Sequence, residues 1–364
     1  MNTGDSIAYS NERVRAFSEN PSFGNLVAGP DLAWLSLHSE PAFDPDMPIV
    51  DAHHHLWNLP RAPYLGGQLL ADLGSGHKFI GTVFVQCSEG YLEHGPPELR
   101  SVGETEFVNT VIDYCSAQGF PFACAGIVGY VDLRLEAAVE IALHAHISAG
   151  RGRFHGIRQS AVWDANKEVC ATVSPTPKQL LADPTFRRGF ARLAPNHLSF
   201  DAWVYHHQLS EVAELASAFP ETRIIINHTG GPIGMGPYSY KRAEVFDFWR
   251  RRLVDTAQYP EVYVKLGGLG MPLSGFRFNE QPRPPTSQDL AQLWRPYFET
   301  CIELFGTDRC MFESNFPVDK QSFSYSVLWN AYQRIVSGYS LTEKRQLFNA
   351  TAARAYGLEG LPNS

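Results

Sequence analysis

No apolar run in this 364-residue chain approaches the roughly 18 residues that a membrane-spanning helix requires, and the N-terminus has no basic stretch followed by an apolar one. Neither a bilayer span nor a secretory signal is expected, and the chain reads as cytoplasmic. Cysteine is sparse. Cys87, Cys115, Cys124, Cys170, Cys301 and Cys310 form no CxxC pair and no framework spacing, so a cysteine-built zinc site or a disulfide scaffold is not indicated. They read as reduced thiols and mostly small core residues; Cys87, beside Gln86 at a strand end, reads the same way, with a place in a pocket wall as its alternative. Positive charge is also short: 30 Lys and Arg against 38 Asp and Glu leave a net charge of -8 with no basic stripe. Binding a phosphate backbone needs such a stripe, so the expected partner is a small molecule and not nucleic acid.

What is present is enough apolar material for a large core, with 44% hydrophobic and 19% charged residues. Residues 1–45 read as an N-terminal extension, with a short helix at 12–17 and a second at 32–37. Residues 46–364 read as one domain, without linker, internal repeat or low-complexity tract. Strand-like apolar runs fall at 49–55, 79–87, 124–131, 154–159, 198–204, 223–228, 262–266 and 309–314. Helical patterns alternate with them at 104–117, 135–149, 184–193, 208–219, 240–258 and 290–304, and a last helix at 341–356, N-capped by Thr342, is expected to pack across the domain. Eight strands separated by helices predict an α/β fold, a (β/α)8 TIM barrel, with an open doubly wound sheet as the alternative. Both architectures put chemistry at the carboxyl ends of the strands. Polar residues collect there: His53 and His55, Gln86, Arg158, Asp201, His228, Lys265, and Glu313 with Asn315. The Gly- and Pro-rich connections 230–240 and 267–286 after strands six and seven are long enough to contact substrate.

The densest stretch is Asp51 to Trp57, with three consecutive histidines. In an extended strand Asp51, His53 and His55 share one face and Ala52 and His54 the other. Imidazoles two residues apart, about 7 Å at Cα, can reach one divalent ion. Such pairs are common without metal, but a buried strand end this polar has no packing rationale, because unpaired buried polar groups are costly. Asp51 lies deeper and reads as a structural hydrogen-bonding group. His206 and His207, after strand five, read as solvated loop residues or substrate contacts, and Asp201 is the better site candidate.

The segments VDAHHHLW (50–57), FHGIR (154–158), LSFD (198–201), INHTGGP (226–232), VKLGG (264–268) and RCMFESNFPV (309–318) resemble, in order, the amidohydrolase superfamily. Within it they resemble the amidohydrolase-2 group of TIM-barrel metal-dependent hydrolases related to sugar lactonases, sulfomuconolactone hydrolase and pyrone dicarboxylate lactonase. The resemblance implies His53 and His55 as metal ligands or, in metal-free relatives, polar substrate contacts. It implies His228 as a further ligand or as the group that orients the substrate carbonyl, and Arg158 as the site of a substrate carboxylate, where a guanidinium gives a bidentate fit. The alternative for Arg158 is an ion pair with Asp201 or Glu313. The group usually ends strand eight in Ser-Asp-(Trp or Phe)-Pro, and here the Asp is Asn315, whose amide cannot accept a proton at neutral pH and is expected in the site as a hydrogen-bond donor or in a ligand position. Glu313, on the same face, is the expected replacement carboxylate, the alternative being a salt bridge to Arg158 or Lys265. Gln86, Asp201 and Lys265 complete the expected substrate-binding set.

The resulting expectation is an enzyme: a hydrolase of a cyclic ester or amide of a small, anionic substrate, using water activated by one divalent ion, Zn²⁺ or Mn²⁺, or acting without metal. The alternatives are a metal-dependent decarboxylase of an aromatic or unsaturated acid, and a non-catalytic binding barrel, given Asn315. A homodimer is compatible with the composition.

Overall fold

The computed structural model describes residues 29–60, 62–169 and 176–362; the expected helix at 12–17 and Cys170 lie outside them. Eight parallel strands follow one another in spatial order: β1 (Pro48–His54), β2 (Lys78–Val85), β3 (Gly126–Gly129), β4 (Phe154–Ile157), β5 (Ser199–Ala202), β6 (Ile224–Ile226), β7 (Val262–Leu266) and β8 (Cys310–Phe312). Each is followed by a helix: α1 (Gly66–Leu73), α2 (Val102–Ala117), α3 (Ala138–Ala149), α4 (Pro184–Phe190), α5 (Leu209–Ala218), α6 (Arg242–Ala257), α7 (Ser287–Phe305) and α8 (Tyr325–Ile335). This is a (β/α)8 barrel. Among the described residues no helix is long and apolar enough to cross a membrane.

Most strands stop short of their expected ends because the ladder gives way where the chain turns its polar side chains inward. The backbone bonding continues for one more residue, as in Gln86 N to Val128 O (2.8 Å) and Arg158 N to Gly129 O (2.8 Å). Helices α1 and α8 and a small hairpin (Trp57–Leu59 with Ala62–Tyr64) were not expected from the sequence pattern. Helix α7 begins at Ser287, earlier than its apolar pattern indicates, because Thr286 and Asp289 form a capping box ahead of it. The C-terminal helix also differs from expectation. Its cap is Ser340, paired with Glu343 in a capping box, not Thr342, and it runs Leu341–Arg345, a π turn Gln346–Ala350, then Thr351–Tyr356.

Two apolar layers hold the fold. One fills the space between strands and outer helices. The other lies inside the barrel, where Val50, Ala52, Val83, Val85, Val128, Ile225 and Met311 meet Ala352, Ala355 and Tyr356 of the C-terminal helix. That helix plugs the end of the barrel opposite the site: a Cβ on Gly126 or Gly81 would collide with Leu358 or Leu361.

The barrel closes between β1 and β8 through side chains as much as through backbone. His55 N donates to Phe316 O (2.7 Å) and Asn315 N to His53 O (2.9 Å). Below them the Asp51 carboxylate accepts from Ser314 N (2.8 Å), Ser314 Oγ (2.6 Å), Tyr325 OH (2.8 Å) and His53 N (3.2 Å). The expected alternation breaks here. A register shift in β1 between Asp51 and His54 resets the phase, so Asp51 turns outward to Tyr325 on α8 while Ala52 joins the interior cluster.

Burial pushes the Asp51 carboxyl up to about 6, against the pull of its donors. Since its folded pKa lies above the unfolded value, ionisation opposes folding, and the cost accrues as pH rises from about 4 to about 6, reaching on the order of 3 kcal/mol. An Asp51→Asn variant, which cannot ionise or serve all four donors, should be less stable than the parent at pH 4. In urea unfolding that gap should narrow by about 2–3 kcal/mol by pH 6.5. A gap independent of pH would show that burial does not dominate this carboxyl.

Candidate active site

The carboxyl end of the barrel gathers nearly every polar residue of the strand ends. His53, Asp201, Lys265 and Glu313 have no exposed surface and form a floor, while His228 (3% exposed), His55 (4%), Gln86 (8%) and Arg158 (8%) face the mouth.

Glu313 is the centre. Its Oε1 accepts from His228 N (2.9 Å) and His228 Nδ1 (2.8 Å), and its Oε2 lies 2.8 Å from His53 Nδ1. Tyr332 on α8 donates to the Glu313 carbonyl (2.8 Å), fixing the residue from behind. Close approach to this carboxylate explains the glycines of 264–268. A Cβ on Gly267 would sit 2.4 Å from Glu313 Cγ, and one on Gly268, whose φ is +71°, would sit 2.5 Å from His228 Cβ.

The partners set the tautomers. A carboxylate only accepts, so His228 carries its proton on Nδ1. The His53 contact lacks hydrogen-bond geometry, Oε2 having no hydrogen-bond partner and Lys265 Nζ lying 3.4 Å from the same Nδ1. A guanidinium only donates, however, so His53 Nε2, which meets Arg158 Nη1, is a lone pair and its proton lies on Nδ1. His55 Nδ1 lies 2.7 Å from the Val85 carbonyl, which likewise places its proton there. Burial, reinforced by nearby positive charge from Lys265 or Arg158, holds His53 and His55 well below the ordinary imidazole range, and burial also lowers His228, opposed by Glu313. All three are neutral at pH 7. Two lone pairs then face each other, with His53 Nε2 and His55 Nε2 only 3.2 Å apart. Two nitrogens bound to one tetrahedral ion at 2.0–2.1 Å would stand about 3.3 Å apart, so the donor set fits a divalent cation. Ligand atoms of His53, His228 and Glu313 also lie within 4.8 Å of one another.

Arg158 lies above this pair. Its Nη1 is 3.3 Å from His53 Nε2, its Nη2 donates to the Gln86 carbonyl, and its buried Nε has no protein partner. Among the described residues no carboxylate is within ion-pair distance of it. The ion pairs weighed from sequence are placed differently: Lys265 Nζ pairs with Asp201 Oδ2 at 2.7 Å, and Glu313 takes neither Lys265 nor Arg158 but two histidines. Gln86 contributes its carbonyl, and its side-chain amide reaches the Arg158 carbonyl only at 3.4 Å. Asn315, in a left-handed conformation (φ +54°), turns its amide from the histidines to Asp319 Oδ1 (2.9 Å).

Sequence reasoning did not find Tyr356, whose hydroxyl donates to both Asp201 oxygens (2.9 and 3.0 Å) from the C-terminal plug, or Asn227, which donates to Asp201 Oδ2 (2.9 Å). It also missed Trp203, packed edge-to-face on His228 with ring centroids 4.6 Å apart. The signal for Asn227 was its place beside His228 in the 226–232 segment; Tyr356 had none. His54 points away from the site to Thr82 Oγ1 (2.9 Å). His206 and His207 form a separate cluster with Tyr238, whose hydroxyl donates to Asp164 (2.8 Å).

The chain matches the amidohydrolase family model over residues 50–358. It is 33% identical to an uncharacterized protein of Sinorhizobium fredii over 85% of this chain and 99% of that one. It is 24% identical to an L-fucono-1,5-lactonase of Burkholderia multivorans over 85% and 96% respectively. A solved amidohydrolase structure from Burkholderia multivorans with bound zinc superposes with a TM-score of 0.64 at 21% identity, covering 85% of this chain and 99% of that chain.

Two left-handed glycines should respond differently to an added methyl group. Gly268→Ala should destabilise the protein by about 2–4 kcal/mol, combining left-handed strain with overpacking on His228. Gly357→Ala, where an added Cβ meets nothing within 4 Å, should cost only about 1 kcal/mol. Equal costs in denaturant titrations would contradict the close approach at His228.

Proposed function

Since the chain belongs to the amidohydrolase family, we propose that it is a lactonase-type hydrolase that opens a cyclic ester carrying, or releasing, a carboxylate. The observation that carries this reading is the buried, acid-free guanidinium of Arg158 beside a neutral histidine cluster. A charge taken out of water without a counter-ion is costly, and an anionic or strongly polar oxygen of the substrate at the free Nε–H would supply the missing partner. The lactonase relative and the zinc in the solved neighbour support the reaction class and a divalent ion.

Such an ion would be held by His53 Nε2 and His55 Nε2, and when bound supplies Lewis acidity toward a carbonyl and acidifies water. The remaining work falls to the chain. His228 Nε2 takes the proton of the attacking water as the oxygen–carbon bond forms. Glu313, already bonded to Nδ1–H, stabilises the imidazolium that results. The proton then passes from Nε2 to the ring oxygen as its bond to the carbonyl carbon breaks. Asn315 takes no proton, and Glu313 acts through His228, which it holds.

Two measurements test this. Ring opening of an aldonolactone and of a lactone bearing a carboxylate, followed by proton release, should be detected in zinc-supplemented protein. Release of CO2 from carboxylated aromatic acids without ring opening, or binding without turnover, would overturn the reading. Glu313→Gln, which puts a neutral amide in place of the carboxylate at His228 Nδ1–H, should lower kcat by at least about 100-fold with little change in KM. A KM effect alone would contradict its role at the histidines.

A further inference from the structure

The contact between Arg158 and His53 has a consequence beyond substrate binding. Val85 O takes the Nδ1 proton of His55, and the Arg158 guanidinium, which can only donate, meets His53 at Nε2, so the Nε2 atoms of His53 and His55 face each other as acceptors at 3.2 Å. Two lone pairs at that distance repel unless something positive lies beside them. The positive group present is Arg158 Nη1, 3.3 Å from His53 Nε2. The guanidinium is held in that pose from its other edge by the Gln86 carbonyl, and Glu313 lies on the opposite, Nδ1 side of the His53 ring.

We infer that Arg158 is the resident cation of the His53–His55 pair and competes with a divalent ion for the Nε2 lone pair of His53. This rests on the metal-binding reading above. The same nitrogen cannot accept from Nη1–H and coordinate an ion at once, so loading the site requires the guanidinium to withdraw, and the strength of its hold sets the metal affinity. The protein is then balanced between two electrophiles at one position. Arg158 is a positioning and affinity-setting residue in the free site, and its guanidinium becomes available to an anion when an ion displaces it.

The experiment is titration calorimetry of Zn²⁺ into the full-length parent, Arg158→Met and Arg158→Lys, each stripped with chelator and checked for folding by circular dichroism. Arg158→Met should bind zinc at least tenfold more tightly than the parent. Removing a positive charge would by itself favour a cation, and Arg158→Lys separates the causes: it keeps the charge but loses the planar fork that spans the Gln86 carbonyl and His53. It should also bind more tightly than the parent, by about threefold or more. A lysine variant with parental affinity would reduce the effect to net charge and overturn the inference, as would unchanged or weakened binding in the methionine variant. Absence of zinc binding in all three proteins would overturn both this inference and the metal-binding reading. Binding in the parent with no gain in either variant would overturn this inference alone.

Discussion

One carboxylate, wholly buried, fixes the geometry of three strands. Glu313 at the end of β8 takes the Nδ1 proton and the backbone N–H of His228, after β6, on Oε1, and its Oε2 packs 2.8 Å from His53 Nδ1 at the end of β1. Held twice by Oε1, His228 cannot rotate its imidazole or exchange tautomer without breaking a charge-assisted bond in a site of low dielectric. The glycines after β7 follow from the same constraint, since the backbone there passes within van der Waals distance of Glu313 and His228.

The charge balance of the interior depends on it as well. The floor and mouth bring together the acidic Asp201 and Glu313 and the basic Lys265 and Arg158, with buried Glu104 bearing on Arg158 from further off, and their pairing is uneven. Asp201 is saturated by Lys265, Tyr356 and Asn227, and Glu313 Oε1 is held by His228 while Oε2 faces His53 without a hydrogen bond. Arg158 is left with a carbonyl and a lone pair. A fold selected only for stability would have paired it, because an unmatched buried charge is among the more expensive features a core can carry. An unmatched cation beside a cluster of neutral nitrogens is instead what a site for an anion or carbonyl oxygen requires.

The barrel was legible in the sequence because apolar runs and helical patterns alternate with a period set by local geometry. The gathering of His53, His55, Arg158, His228 and Glu313 followed from their places at strand ends. Three kinds of information were not local. The phase change at Asp51 comes from a bulge that only pairing with β2 creates. The choice of partners among the buried charges, Lys265 with Asp201 and Glu313 with histidines, depends on barrel radius and strand stagger. Tyr356 reaches Asp201 from 155 residues away in sequence, a contact that exists only because the C-terminal helix plugs the barrel. Asn315, read from sequence as a lost acid, faces Asp319 at 2.9 Å. A second carboxylate in that position would meet the first at hydrogen-bond distance, so the amide suits the neighbour it has.

The central claim is that Glu313 at His228, Val85 O at His55 and the Arg158 guanidinium at His53 fix all three histidines as neutral Nδ1–H tautomers with lone pairs on Nε2. Nitrogen-15 spectra of histidine-labelled, metal-free protein at pH 7, assigned by single His→Gln variants, measure this directly. The account predicts a protonated Nδ1 and an unprotonated Nε2 for His53, His55 and His228. An imidazolium signal or an Nε2–H tautomer for His53 or His228 would contradict it.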